Sequence, residues 1–250
     1  MTTPVELARS LLFVPASRPE RFARALESAA SCMILDLEDA VAPDQKDSAR
    51  EQMVQRLEGF TAEALARTLV RINAAGTPWH AQDLQAQLVP LIESLAGLDA
   101  ADLLARGRQV ARLAFGHLDF QLDLGMQCGA DEQELNTVRF ALVAASRRAQ
   151  LPGPIDGVTV DVKDGERLQT DTRRARAFGF AGKLCIHPAQ VDGVNAVFMP
   201  SAAEVAWARR VLDAARTHGG QAVSLDGKMV DLPVIRLAAQ TLKQAQAADA

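Results

Sequence analysis

The sequence predicts a parallel α/β barrel of the (β/α)8 kind, followed by a helical and extended appendage. Seven short apolar runs, at 11–15, 32–37, 68–73, 88–93, 110–115, 157–162 and 183–187, alternate with stretches of helical period. Nearly every run ends in a charged or polar side chain. The chain has 250 residues, the usual size of one barrel domain.

Taken in order, the helical stretches fall at 18–30, 44–57, 99–106, 132–149 and 166–178. Strands alternating with helices predict βαβ units and a parallel sheet. Near-continuous apolar runs suit strands covered on both faces. A doubly wound sheet would give the same local pattern, and the polar residues choose between the two. Asp36, Glu38 and Asp39 end the second run, Arg71 and Asn73 the third, and Glu93 the fourth. Asp119 follows the fifth, Asp161 lies in the sixth and His187 ends the last. In a barrel all these ends share one face, where catalysis occurs. Many strands contributing at once favours the barrel over a single crevice.

The tail reads differently. Ser201 with Glu204 three residues on is a capping box opening a helix to 218, stopped by Gly219 and Gly220. An extended stretch at 222–231 carries the turn signal Asp226-Gly227, and a last helix covers 233–245. We expect one domain, with a barrel core at about 9–198 and the appendage at about 199–250.

Composition narrows the function. Hydrophobic residues make up 48% of the chain and aromatics only 4%, so the core is mainly aliphatic. The formal net charge of −4 leaves no basic footprint for nucleic acid, although a local arginine can still bind an acidic small molecule. Cys32, Cys128 and Cys185 are odd in number and far apart, which predicts reduced thiols rather than disulfides or a zinc site. No apolar run approaches the ~18 residues of a membrane span, and residues 1–8 lack a signal-peptide pattern. The expected location is the cytoplasm, with no membrane partner.

Two carboxylates, Glu93 and Asp119, each follow an apolar run. Two acids at neighbouring strand ends can hold one Mg2+ and leave positions for water and substrate oxygens. Each could equally cap a helix or pair with an arginine. Asp36, Glu38 and Asp39 place three acids in four residues, which cannot all be buried and charged without partners. Lys46 and Arg50 can supply those partners, or the acids can hold metal-bound waters. Arg71 sits among apolar residues, where its fork suits a substrate carboxylate or a salt bridge to Glu38 or Asp39. Gly116 gives backbone room beside Asp119 and is a candidate substrate contact. His117 and His187 are weaker candidates.

With these residues located, the chain resembles the HpcH/HpaI aldolase and citrate lyase β-subunit family, in its citrate lyase β-like branch. The matching stretches are Arg9-Ser-Leu-Leu-Phe-Val-Pro15, Leu35-Asp-Leu-Glu-Asp-Ala-Val41, Val70-Arg-Ile-Asn73 and Leu91-Ile-Glu-Ser94. Phe115-Gly-His-Leu-Asp119, Gly182-Lys-Leu-Cys-Ile-His-Pro188 and Asp226-Gly-Lys-Met-Val-Asp231 follow in family order. The resemblance implies a TIM-type barrel assembled as a homotrimer, with Mg2+ held by Glu93 and Asp119. Arg71 matches the arginine that grips the substrate carboxylate. Asp231 matches an acid delivered by the C-terminal segment, often to a neighbouring subunit, and is the expected general base. Relatives cleave or form carbon–carbon bonds in citryl-, malyl- or citramalyl-CoA, or release pyruvate or oxaloacetate from hydroxy acids. An aldolase acting on free hydroxy-keto acids and a non-catalytic scaffold are the competing expectations.

One departure stands out. Relatives carry a further strand and helix between the Arg-Ile-Asn strand and the Ile-Glu strand. Here 83–87 runs almost directly into 88–93, and seven runs are one short of eight. About 30 residues, one eighth of a barrel, are missing. We expect an omitted segment between Leu84 and Pro90; ordinary Cα steps of ~3.8 Å there would refute it and make the deletion genuine.

Overall fold

The structure, a computed structural model, describes residues 3–74, 77–79, 88–107, 110–217 and 222–246. The chain divides into two compact units, Met1–Phe198 and Met199–Ala250.

Among the described residues the first unit is built on seven parallel strands: β1 (Ser10–Pro15), β2 (Cys32–Asp36), β3 (Thr68–Arg71), β4 (Leu91–Ile92), β5 (Ala114–Phe115), β6 (Ile155–Asp156) and β7 (Gly182–Cys185). Their order is β3-β2-β1-β7-β6-β5-β4. Except for β3 and β4, each strand lies beside its neighbour in sequence, and the last pairs with the first. That circular order belongs to a barrel and not to a doubly wound sheet. Among the described residues one junction is open: β3 and β4 are the two edges. This is where the sequence lacks a strand–helix unit. The expected omitted segment rests partly on residues 84–87, which lie outside the described residues.

Strand alternation explains the two cores. Residues two apart share a face. Leu11, Ile34, Ala114, Ile155 and Leu184 point into the barrel and form one cluster. Leu12, Val14, Met33, Leu35, Ile92, Phe115 and Cys185 point out and pack under the helices. The same parity carries Asp36, Arg71, Glu93 and Gly116 to the inner face at the strand ends. Below them, the fully buried Arg112 donates to the carbonyls of Val5, Ala8, Gly153 and Pro154, tying the N-terminal turn to the barrel floor.

Several sequence expectations need correction. The sixth strand is Ile155–Asp156, and 157–162 is loop. The helix expected at 99–106 is two short helices, Leu95–Asp99 and Ala101–Ala105. The helices His117–Leu124 and Val191–Phe198 were not anticipated. In the second unit the helices Ala202–Thr217 and Leu232–Gln246 pack around Val211, Val230 and Ala238. A hairpin of β8 (Val223–Leu225) and β9 (Lys228–Val230) joins them, with Asp226 and Gly227 at positive φ in its turn.

Candidate active site

At the end of β2, Asp36 is almost fully buried and has three donors. Its Oδ1 accepts from the Glu38 amide at 2.8 Å and from Arg71 Nε at 2.8 Å, and its Oδ2 accepts from Arg71 Nη2. Arg71 Nη1 reaches Asp39 at 2.7 Å and stands 3.5 Å from Glu38. Its guanidinium lies 4.9 Å from the centre of the Phe13 ring. Burial works against the arginine's charge, but the Asp36 hydrogen bonds and the charges of Asp36, Asp39 and Glu38 outweigh it and raise its pKa. Arg71 thus makes salt bridges to the expected Glu38 and Asp39 and, beyond them, a bidentate pair with Asp36. Three of its five N–H groups make these hydrogen bonds, with Glu38 at ion-pair distance beyond them.

Lys46 does not pair with the acid side chains. Its buried ammonium donates to the carbonyls of Leu37 at 2.8 Å and Glu38 at 2.7 Å, closing the turn that presents the acids. Arg50 pairs with Asp47 instead.

Glu93 follows β4 and packs on Gly116. A Cβ at position 116 would lie 2.6 Å from Glu93 Cβ and 3.1 Å from its Oε2, so only glycine leaves this carboxylate its place. Burial pushes the Glu93 pKa up to about 7, reinforced by the charges of Glu38, Asp119 and Asp39 and opposed by Arg71. Burial likewise raises Glu38. Asp119 is exposed, in the first turn of the helix His117–Leu124, and its charge reaches Glu93. Glu38, Asp39 and Asp119 thus bring negative charge to bear on Glu93, with Arg71 opposing it. Among the described residues no three His, Cys, Asp or Glu side chains group as a ligand set. Asp231 belongs to the second unit, where its carboxylate accepts from the Val234 amide at the start of the last helix.

His117 and His187 leave the inner face. His117 is buried between sheet and helices, where burial lowers its pKa against the charges of Glu132 and Asp156. His187 accepts from the Ala189 amide and caps a short turn. Two features escaped sequence reasoning. Arg18 and Arg21, both exposed, line an open polar cleft with Ser17 and Gln45 at the end of β1. The signal was Ser17-Arg-Pro-Glu-Arg21, just after the first run. Beneath Arg71, the barrel interior keeps an apolar cavity of about 80 Å3 lined by Phe13, Ile34, Leu69 and Leu91 among others.

The model of the HpcH/HpaI aldolase/citrate lyase family matches residues 9–90 and 85–188. The chain belongs to this family. A second model, for carbon–carbon bond lyases of the TIM-barrel fold, matches residues 141–248. The family chain is 36% identical to a citrate lyase subunit beta-like protein of Mycobacterium tuberculosis, over 94% of each chain. It is 34% identical to a (3S)-malyl-CoA thioesterase of Cereibacter sphaeroides, over 96% of this chain and 95% of that protein. A crystal structure of the M. tuberculosis CitE protein with magnesium, acetoacetate and coenzyme A superposes with a TM-score of 0.84, covering 96% of this chain and 99% of that one at 34% identity. The citrate lyase-like alignment spans 266 positions, more than this chain can fill; the excess is about 30, the size of one strand–helix unit. The two pieces of the family match meet at 85–90, at the open junction.

Proposed function

We propose that this lyase-family protein is a Mg2+-dependent carbon–carbon lyase acting on the CoA thioester of a 2-hydroxy acid. The observation that carries the reading is the seat of Glu93: its carboxylate is held at the end of β4 by close packing on Gly116, on the inner face with Asp36 and Arg71 and beside further acids that help to raise its pKa. A fold that keeps such a group ionisable there invites a dication, and an all-oxygen donor set suits Mg2+ rather than zinc. Two protein carboxylates are enough, because Mg2+ keeps several waters or substrate oxygens. The relatives crystallised with magnesium and acidic ligands support the same assignment.

Glu93 and Asp119 would hold the ion, which when bound supplies Lewis acidity at the substrate oxygen. Arg71, fixed by Asp36, presents its remaining donors to the substrate carboxylate and orients the scissile bond. The backbone at Gly116 lets the substrate approach beside Glu93. Asp231, delivered within a homotrimer, would take the hydroxyl proton as the carbon–carbon bond breaks and return it to the α-carbon of the departing thioester, which receives the electron pair of that bond. Arg18 and Arg21 suit the phosphates of CoA, which favours a thioester over a free acid. The β3–β4 junction, open among the described residues, supports a second reading, a non-catalytic scaffold that keeps the barrel and binds partners.

A Mg2+-dependent screen of citryl-, malyl- and citramalyl-CoA against the free acids tests the proposal. Release of pyruvate, oxaloacetate or glyoxylate from thioesters alone is expected. Turnover of free acids only would replace it with the aldolase reading, and absence of both turnover and Mg2+ binding with the scaffold.

A further inference from the structure

The helix that carries Asp119 starts directly after β5, with Gly116 as N-cap and no side chain capping its first amides. A Ser, Thr, Asp or Asn at that position would fasten the start by about 1 kcal/mol. His117, the first helical residue and nearly fully buried, is what the surroundings grip instead. Its ring lies over Gly157, just past β6: a Cβ there would come within 2.0 Å of Nδ1 and 2.8 Å of Cε1. On the other side, Nε2 stands 3.7 Å from Glu132 Oε1. Glu132 is in turn immobilised. Arg139, Arg167 and Arg174 all donate to its carboxylate, and its backbone sits at φ 49° in the left-handed region.

We propose that His117 is a positioning residue: wedged between Gly157 and Glu132, it fixes where the Asp119 helix begins and so holds Asp119 in register with Glu93. The helix start links both carboxylates, since Gly116 precedes His117 and packs on Glu93, while Asp119 lies two residues beyond. A shift of one helical residue moves a side chain by about 1.5 Å along the axis. Mg2+–oxygen bonds of ~2.0–2.1 Å do not tolerate such a displacement. The inference rests on the Mg2+ reading above.

Calorimetric titration of the whole protein with MgCl2 alone tests it, using wild type, Gly157→Ala, His117→Ala, the double variant and His117→Phe, with circular dichroism to confirm folding. Gly157→Ala and His117→Ala should each weaken Mg2+ binding by about tenfold or more, as changes behind a ligand do. The double variant should bind no more weakly than His117→Ala, because no ring is left for the new methyl to displace. His117→Phe keeps the wedge and should bind like wild type. Folded single variants with unchanged affinity, or losses that add in the double variant, would overturn the proposal. If Gly157→Ala does not fold, the contrast between His117→Ala and His117→Phe decides alone: equal affinities overturn it. Wild type that ignores Mg2+ overturns the metal reading and this inference together; wild type that binds while the variants match it overturns this inference only.

Discussion

Glu93 sits where ionisation costs the fold free energy. Its pKa rises from 4.5 to about 7, so the folded state binds its proton more tightly than the unfolded chain does. The resulting stabilisation is present below about 4.5 and is lost as pH rises through about 7. Glu93→Gln should therefore raise the stability of the metal-free protein at pH 8, by about 1 kcal/mol after allowing for solvent screening, in a thermal melt. The same variant should abolish measurable Mg2+ binding. Stabilisation with loss of the ion is the signature of a functional group held at a cost; a destabilised variant would argue that Glu93 is structural. In wild type the proton competes with the ion, so Mg2+ affinity should fall by about tenfold per pH unit below 7. A flat affinity between pH 5.5 and 7 would contradict this assignment. Asp231→Asn should cost at least about 100-fold in turnover while leaving Mg2+ affinity intact, the mark of a base rather than a ligand.

At the scale of elements, the turn after β2 hangs on Lys46. Lys46→Met removes the donor to two carbonyls and should destabilise the protein by about 2–4 kcal/mol, read by urea denaturation. An unchanged midpoint would show that the turn holds without it. This partnership was not legible in the sequence, where a lysine near three acids points to a salt bridge. Backbone carbonyls leave no trace in composition. Strand placement was more legible, because apolar runs such as 11–15 and 32–37 have the length and composition of strands covered on both faces. The failures share a cause. Leu118, Phe120, Leu122 and Leu124 alternate like a strand, yet they form a helix that leaves Leu122 80% exposed. Residues 157–162 also alternate, but the backbone has already left the sheet at Gly157 to make room for His117. Period-two patterns in short segments report composition as much as conformation.

For the molecule as a whole, the circular strand order was foreshadowed by polar residues at so many run ends, and the junction left open among the described residues by the count of seven runs. The convergence of Asp36, Arg71, Glu93 and Gly116 follows from strand parity once the barrel is granted. The cleft at Arg18 and Arg21 was not foreseen, since it lies between elements that only the fold brings together. If the homotrimer forms, sedimentation should give about 80 kDa from a 26.8 kDa chain. Mixing inactive Glu93→Gln and Asp231→Asn chains should then restore part of the turnover, provided Asp231 serves a neighbouring site; no recovery would confine it to its own chain. Crystals soaked in Mn2+ and measured at its absorption edge test the central claim most directly. One anomalous peak is expected, bonded to both Glu93 and Asp119 on the Arg71 side. A peak elsewhere, or bonded to one of the two carboxylates alone, would contradict it.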